Sequence, residues 1–388
     1  MPDPKKILIV DDSRINLKVL TDVLKAEYKI MAAKNGEQAL QAAVKNPLPD
    51  LILLDIMMPD MDGFEVCRRL KANAATREIP IIFVTGLDES TDEAKGLELG
   101  AVDYITKPIS PPIVKARVKS HLALKHNMDA LKEAYQIIDS QKKRMEAELN
   151  VGYEIQMSRI PTTFPPFPER TEFSISAILH PAREVGGDFY DFFFIDDNRL
   201  CFCIGDAAGK GVPSALFMAE TKVLIRSRAK VDSSTASIIT HINDELSQNN
   251  ETTMFITLFI GILNVSNGEL LFTNAGHNPP YLIRHGSQPE LMDNRHGTVV
   301  GALENMVFKE DTLTLSKGDF IFLYTDGVTE SKNQQSEFFT DQRLSELLAA
   351  QPYTSAEDMV KTVANEVKKH EDDSEQTDDI TILAVQQL

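Results

Sequence analysis

Carboxylate side chains that follow predicted strands are the first groups in this sequence that could do chemistry. Asp11 and Asp12 come directly after an apolar run, and Asp55 ends another. Lys107 follows a later run. The carboxyl ends of parallel strands meet at one edge of a sheet, where clustered carboxylates repel one another unless a hard cation such as Mg²⁺ lies between them. The pattern therefore predicts a magnesium site at which Asp55 attacks a phosphoryl donor while Lys107 offsets the charge.

A second set of aspartates occupies four separated motifs in the C-terminal half of the sequence. Carboxylates at strand ends without neighbouring His or Cys suit Mg²⁺ or Mn²⁺ rather than Zn²⁺. Two such ions can make hydroxide available for in-line attack on phosphorus, so the motifs predict metal-assisted phosphoester hydrolysis without a nucleophilic Cys or Ser. The motifs are EVGGDFYD (184–191) with Asp188, IGDAAGKGVPSALFMA (204–219) with Asp206, LYTDGVTE (323–330) with Asp326, and TDDITILAV (377–385) with Asp378 and Asp379.

Each acidic motif on its own has a simpler structural explanation. TDG and GGD are turn sequences, although two glycines also let the backbone turn tightly and bring Asp188 to a metal. Arg183 is a candidate phosphate contact, and an ordinary surface arginine is the alternative. His277, between Gly276 and Asn278, is expected to order its loop rather than to act as an acid. The order of the four motifs and their positions at strand ends favour a catalytic site.

Composition restricts the class of protein further. Hydrophobic residues make up 43% of the 388 residues and charged residues 25%, which is typical of a globular protein. The net charge of −18 argues against nucleic acid as a partner, because phosphate backbones require a basic face. No apolar run approaches the roughly 20 residues that cross a bilayer, and the apolar stretch 7–10 runs straight into Asp11 rather than forming a signal sequence. We expect a cytoplasmic protein without membrane contact.

The three cysteines predict neither a disulfide framework nor a zinc site. Cys201 and Cys203 alternate within a strand-like apolar run and are expected to be small buried hydrophobic side chains. A zinc site needs at least two further Cys or His ligands at suitable spacing, and the sequence offers none.

Residues 1–122 alternate apolar runs with helical patterns, which is typical of a doubly wound α/β domain. The apolar runs at 7–10, 51–54 and 81–84 are expected of strands buried on both faces of a parallel sheet. We therefore predict a five-stranded parallel sheet. Helices are expected near 14–26, 36–45, 64–72 and 91–99.

Residues 123–160 carry apolar side chains at a 4-3 spacing within a highly charged stretch. This spacing predicts a coiled coil of about four heptads that joins two chains into a homodimer. A single amphipathic helix packed on its own domain is the alternative. Pro161 and the proline-containing run 164–168 end the helix. The apolar positions are Leu124, Met128, Leu131, Tyr135, Ile138, Met145 and Leu149, with Lys142 interrupting them.

Residues 161–388 combine clustered strand patterns with long helices. This combination indicates an α/β sandwich of two antiparallel sheets flanked by helices. Strands are expected at 174–179, 200–205, 255–264, 269–274, 319–324 and 380–385, and helices near 212–229, 234–247, 341–350 and 355–369.

The N-terminal domain resembles the receiver domains of response regulators. By this resemblance Asp55 is the phosphorylated residue, and Asp11 and Asp12 hold Mg²⁺ beside it. Thr85 and Tyr104 are the pair expected to respond to the phosphate. The phosphoryl donor is then a cognate histidine kinase or phosphotransfer protein. The resemblance covers residues 5–122 and rests on LLDIMMPDMDG (53–63) and on the Lys107–Pro108 peptide, which is expected to be cis.

The C-terminal domain resembles the PPM-type serine/threonine phosphatases of the bacterial SpoIIE/RsbU branch, over about residues 150–388. The resemblance rests on PAREVGGDFYD, GDAAGKGVPSALFMA, NAGHNPPYLI, LYTDGVTE and TDDIT. It implies two Mn²⁺ or Mg²⁺ ions. The implied ligands are Asp188 and Asp206, which bridge the ions, the carbonyl of Ala207, and Asp326 and Asp378, with Asp379 as the alternative in the last motif.

Together the two resemblances imply a response regulator in which phosphorylation of Asp55 controls a protein phosphatase, without indicating whether it activates or inhibits. The implied substrate is a phosphoserine or phosphothreonine protein, an anti-sigma-factor antagonist in a partner-switching pathway. The alternative is a catalytically silent phosphatase-like adaptor that binds a sigma-factor pathway protein, but such an adaptor would have lost its metal aspartates. A DNA-binding regulator would need a basic recognition helix, which the sequence lacks.

Overall fold

The computed structural model describes residues 4–86, 90–248, 250–350, 352–372 and 374–388, and the side chains at 90–93 also lie outside that description. The chain divides into two compact units, Met1–Gln141 and Lys142–Leu388. Among the described helices, none combines the length and the apolar character that crossing a bilayer requires. Each unit has its own hydrophobic core and is described by itself.

The first unit contains a parallel five-stranded sheet in the order β2-β1-β3-β4-β5, which confirms the predicted doubly wound fold. The central strands are buried on both faces, as their apolar runs predicted. The position of the edge strand β2 was not predicted, because its side chains are mostly exposed or half-buried and it lacks an apolar run. The elements are β1 (Lys6–Val10), α1 (Arg14–Leu24), β2 (Lys29–Ala33), α2 (Gly36–Ala43), β3 (Leu51–Asp55), α3 (Gly63–Ala72), β4 (Ile81–Thr85), α4 (Ser90–Glu98) and β5 (Asp103–Thr106).

A single helix of 48 residues, α5 (Pro111–Ser158), follows β5. The predicted boundary between residues 122 and 123 lies inside this helix, so no break in the backbone marks the start of the linker. The predicted apolar coiled-coil positions are exposed in the single chain, with Leu131 71% exposed, except for Leu149, which is half-buried. The middle of α5 therefore does not bury its apolar positions in its own chain, which argues against the packed amphipathic helix.

The second unit contains two antiparallel five-stranded sheets, in the orders β13-β10-β9-β8-β7 and β12-β11-β14-β15-β6. Their inner faces pack on each other through large side chains such as Phe202, Phe259 and Leu383. The strands are β6 (Phe173–His180), β7 (Asp188–Phe194), β8 (Arg199–Ala207), β9 (Ile256–Asn264), β10 (Glu269–Ala275), β11 (Tyr281–Ile283), β12 (Glu290–Leu291), β13 (Asp311–Thr314), β14 (Phe320–Tyr324) and β15 (Ile380–Gln387).

Helices cover both outer faces of this pair of sheets, which confirms the predicted α/β sandwich. Two of them pack on the sheet that contains β8, and two on the sheet that contains β15. Strand β7 was not predicted, because its sequence DFYDFFF interrupts the apolar pattern with Asp191. Cys201 and Cys203 are buried free thiols in β8, as predicted. The helices are α6 (Val212–Arg228), α7 (Thr235–Ser247), the short α8 (Asp326–Thr329), α9 (Asp341–Ala350) and α10 (Ala356–Glu371).

Candidate active sites

The receiver carboxylates meet at the carboxyl edge of the parallel sheet. Asp11, Asp12 and Asp55 each bring one oxygen within 4.8 Å of the others. The Lys107 ammonium lies 3.1 Å from Asp11 Oδ2 and 2.9 Å from Asp55 Oδ1. Asp11 and Asp55 are buried, and the side-chain amide of Asn16 donates to both oxygens of Asp11, at 3.1 and 2.9 Å. The arrangement fixes Asp11 and presents three carboxylates to one point.

The electrostatics of this site favour a bound cation. Burial raises the pKa of Asp55, and the Asp11 carboxylate raises it further, while Lys107 opposes both effects. Burial acts to lower the pKa of Lys107, but its hydrogen bonds with Asp55 and Asp11 outweigh that effect and raise it. Lys107 is therefore held as an ammonium between two carboxylates. One lysine does not balance three acidic groups, so the donor set fits Mg²⁺.

The predicted switch residues lie on neighbouring strands beside Lys107. Thr85 is buried at the end of β4, and its carbonyl accepts a hydrogen bond from the Lys107 backbone at 2.7 Å. Tyr104 is half-buried in β5, and the guanidinium of Arg117 lies 5.6 Å from its ring centroid. Arg117 belongs to α5, so Tyr104 contacts the helix that continues into the linker. The Lys107–Pro108 peptide is cis, as expected.

Two of the phosphatase aspartates face each other across a pair of antiparallel strands. Asp188 begins β7 and is the register partner of Asp206 near the end of β8. Asp188 is buried, and its Oδ2 atom accepts hydrogen bonds from the hydroxyls of Thr325, at 2.7 Å, and Thr381, at 2.6 Å. Thr325 directly precedes Asp326, and Thr381 lies in β15. Three of the four acidic motifs are thus joined at Asp188.

The pKa shifts show that the carboxylates act on one another. Burial, followed by repulsion from Asp206 and Asp379, raises the pKa of Asp188 well above its ordinary value. Burial and then Asp326 and Asp378 raise the pKa of Asp206, and burial and then Asp378 raise that of Asp326. This mutual repulsion at a set of oxygen donors fits one or more hard divalent cations. Within the described chain only the receiver carboxylates meet the 4.8 Å spacing as a group of three, so the phosphatase cluster is more open.

The two adjacent aspartates of the last motif have different surroundings. Asp379 is buried and accepts hydrogen bonds from the backbone N–H groups of Ala182, at 2.8 Å, and Gly187, at 2.9 Å. Asp378 is 41% exposed, and the ammonium of Lys210 lies 2.8 Å from its Oδ2 atom. The geometry therefore gives Asp379 a role in holding the loop before Asp188, and leaves Asp378 as the better candidate ligand.

The glycines of the GGD motif allow close approach rather than an unusual backbone angle. A Cβ on Gly186 would lie 2.1 Å from the Asp379 carboxylate, and a Cβ on Gly187 would lie 2.6 Å from the Ala207 carbonyl oxygen. Neither glycine has a positive φ. These glycines therefore make room for one carboxylate and one carbonyl.

Sequence reasoning missed the residues that support the carboxylates. Thr325 and Thr381 lie inside the quoted motifs LYTDGVTE and TDDIT, so their positions next to the aspartates were a usable signal. Gln156 in α5 had no such signal. Its side-chain amide donates to the Gly186 carbonyl at 2.8 Å and accepts from the Gly186 N–H at 3.3 Å. The end of the long helix thus holds the residue that precedes Gly187 and Asp188.

Two further candidates from the sequence lie apart from these contacts. Arg183 is exposed in the loop between β6 and β7, next to Ala182. His277 is buried, its Nδ1 atom lies 2.8 Å from the Thr257 hydroxyl, and its backbone N–H donates to Asn274 Oδ1 at 2.8 Å. Burial lowers the pKa of His277 to about 4, against a smaller opposing effect of the Tyr324 backbone. A buried neutral imidazole supports the interpretation of His277 as a loop-ordering residue.

Comparison with known families agrees with both predicted domains. The model of the response regulator receiver domain matches residues 7–119, and that of stage II sporulation protein E (SpoIIE) matches residues 196–387. The class is therefore a receiver domain joined to a PPM-type phosphatase domain. More specifically, residues 7–119 form a response regulator receiver domain, and residues 196–387 form a SpoIIE-type phosphatase domain.

Individual relatives cover different parts of the chain. Protein IcfG of Synechocystis sp. is 33% identical over 266 residues, which are 61% of this chain and 41% of that protein. Phosphoserine phosphatase RsbU of Bacillus subtilis is 26% identical over 253 residues, 65% of this chain and 74% of that protein. The solved SiaA-PP2C domain of Pseudomonas aeruginosa shares the fold, with a TM-score of 0.56 and 19% identity over 63% of this chain and 98% of that one. The chain spans less than half the length of IcfG and of other curated relatives.

Proposed function

We propose that the chain is a metal-dependent serine/threonine phosphoprotein phosphatase that is controlled by phosphorylation of Asp55. The observation that carries the catalytic part is the meeting of four acidic motifs around buried Asp188, which two threonine hydroxyls hold in place. The receiver part is supported by the carboxylates around Asp55 and by Lys107 between two of them.

The proposed ligands divide into two groups. Asp188 and Asp206, opposite each other in β7 and β8, would hold both ions together with the Ala207 carbonyl. Asp326 and Asp378 would complete the shell of the second ion. Two bound Mg²⁺ or Mn²⁺ ions would supply a hydroxide for attack on phosphorus and would neutralise the phosphoryl oxygens. The threonine hydroxyls and the Asp379 loop contacts keep the carboxylates oriented before any ion arrives.

The contact between Gln156 and Gly186 supports a route for regulation. Both backbone polar groups of Gly186 bond to one side chain of α5, and Gly186 lies two residues before Asp188. A small shift or rotation of the end of α5 would therefore move the GGD loop relative to Asp206. We propose that phosphorylated Asp55 acts through Thr85, Tyr104 and α5 in this way, with a histidine kinase or phosphotransfer protein as the donor.

The exposed apolar positions of α5 support a homodimer. Leu124, Leu131 and Ile138 recur every seven residues and are each more than half exposed. Burial of these positions against the same helix of a second chain would remove them from water. Lys142, at one inward position, would keep this pairing weak enough to change with the state of the receiver.

The proposed substrate is a phosphoserine or phosphothreonine protein. The relative RsbU is named a phosphoserine phosphatase. From the resemblance of the acidic motifs to the SpoIIE/RsbU branch, we propose an anti-sigma-factor antagonist in a partner-switching pathway as the substrate. The silent adaptor is disfavoured, because all the acidic motifs are present and lie together.

Hydrolysis of a phosphoserine peptide with Mn²⁺ tests the catalytic proposal. We expect turnover that requires the metal and that is lost in Asp206→Asn. Asp197→Asn is the matched control, because Asp197 is an exposed aspartate of the same domain. Equal turnover in Asp206→Asn and Asp197→Asn, or turnover without divalent metal, would contradict the proposal. Failure of all proteins to hydrolyse the peptide would favour the adaptor.

A further inference from the structure

Lys210 directs a positive charge at the phosphatase carboxylates. Its ammonium donates to the Thr377 carbonyl at 2.6 Å and to Asp378 Oδ2 at 2.8 Å. Its charge also acts to lower the pKa of Asp326, against the stronger effects of burial and neighbouring acids. Lys210 was not among the residues expected from the sequence to contact phosphate.

The loop around Lys210 leaves the side chain free to change partners. Gly209 and Gly211 flank it with positive φ angles of 86° and 80°, and a Cβ on either would meet no atom within 4 Å. The Lys210 side chain is 39% exposed. A lysine carries its charge on a flexible stem with rotatable donors, so the ammonium can turn away from Asp378 without a change of the fold.

Anion binding is favoured at this position for a second reason. Gly211 is the N-cap of α6, a helix of 17 residues, and has no side chain to cap the first N–H groups. Unpaired N–H groups and the helix dipole favour negative charge near that end. Lys210 therefore lies between the carboxylate cluster and the N-terminal end of α6. Because the helix end favours negative charge, this position suits a phosphoryl oxygen.

We propose that Lys210 binds the phosphoryl group of the substrate and the inorganic phosphate product. This inference rests on the proposed phosphatase function. A divalent ion and the Lys210 ammonium would compete for the same Asp378 oxygen, so holding the ion frees the ammonium. A phosphate dianion then provides the new partner, through a charge-assisted hydrogen bond. Lys210 is thus a substrate-binding residue, and it would exchange its contact with Asp378 for one with phosphate.

Calorimetric binding of inorganic phosphate to the manganese-loaded full chain tests this inference directly. We expect Lys210→Met to weaken phosphate binding by about tenfold, and Lys210→Arg to retain most of it. Manganese affinity should not fall, because the ammonium competes with the ion. In turnover, the KM for a phosphoserine peptide should rise more than kcat falls. Thermal unfolding of each variant checks that the domain remains folded.

The matched control is Lys230→Met, which makes the same substitution at an exposed lysine beyond the far end of α6. The 17 residues of α6 span roughly 25 Å, so this charge lies far from the carboxylates. Unchanged phosphate affinity in Lys210→Met would overturn the inference, as would a loss of manganese affinity alone or an absence of phosphate binding by the parent protein. Because the measurement needs no turnover, it separates failure of this inference from failure of the proposed function. An Arg183→Met variant measures the other candidate contact.

Discussion

The receiver and phosphatase sites gather carboxylates in two different ways. In the receiver, Asp11, Asp12 and Asp55 follow neighbouring parallel strands, and the topology alone brings them within 4.8 Å. In the phosphatase unit, the aspartates come from motifs far apart in the sequence, and two threonine hydroxyls tie Asp188 to the other motifs. The receiver site is therefore a local consequence of strand order, whereas the phosphatase site depends on supporting contacts that span the sandwich.

The difference also concerns the positive charge at each site. Lys107 lies between two buried carboxylates and is held by both. Lys210 lies at the exposed edge of its cluster and contacts one carboxylate, Asp378. We expect a lysine that two carboxylates hold in position to stabilise a phosphoryl group transferred beside it. An exposed lysine with one carboxylate partner can instead move to contact a bound substrate. Substitutions at both sites test this difference.

The largest effect is expected from Asp188→Asn. This change removes a charge from the proposed metal shell while keeping an oxygen for the two threonine hydroxyls. Loss of metal-based stabilisation should reduce phosphopeptide turnover by about 10³-fold, equivalent to about 4 kcal/mol. Steady-state turnover and manganese binding by calorimetry measure this effect. Turnover within about tenfold of the parent protein would show that Asp188 is not part of the metal shell.

The pH dependence of stability should change in His277→Gln. The folded pKa of His277 is lowered to about 4, below the ordinary 6.5, so the unfolded chain binds more protons between these values. Stability from this group is present above pH 6.5 and is lost as the pH falls towards 4, by about 3 kcal/mol in all. The free energy of unfolding, measured from pH 7.5 to 5 for both proteins, gives the difference.

His277→Gln should lack the part of the pH dependence of stability that His277 contributes. The raised carboxylate pKa values act equally in both proteins, so they cancel in the difference between the two free energies of unfolding. Identical slopes for the two proteins would contradict a buried neutral imidazole at this position.

A smaller effect on stability should separate Asp379 from Asp378. Asp379→Asn disrupts charge-assisted bonds to the Ala182 and Gly187 backbone, so we expect the manganese-loaded protein to lose about 2 kcal/mol of unfolding free energy. Asp378→Asn changes an exposed side chain and should weaken manganese binding, and apart from the stability lost through that weaker binding it should cost about 0.5 kcal/mol or less. Urea unfolding and calorimetry measure the two effects. The reverse pattern would make Asp379 the ligand.

The sequence was sufficient to predict the fold, which is confirmed, and to propose acidic residues for both sites, because both depend on local patterns. Buried parallel strands are continuous apolar runs, and strand-end aspartates stand out beside them. Strand β7 was not predicted because Asp191 interrupts its apolar pattern, although all its residues except the last are buried. The Gln156 contact with Gly186 joins residues 30 positions apart in different elements. No periodicity within α5 distinguishes Gln156, so this support became visible only in three dimensions.

The most direct test of the account is the phosphatase rate with and without beryllofluoride, a phosphoryl mimic, in the parent protein and in Asp55→Asn. The account predicts that the mimic changes manganese-dependent turnover of the parent by about fivefold or more, in one direction, and leaves Asp55→Asn unchanged. The same response in both proteins would place the effect outside the receiver. Active phosphatase with no response in the parent would contradict control by Asp55.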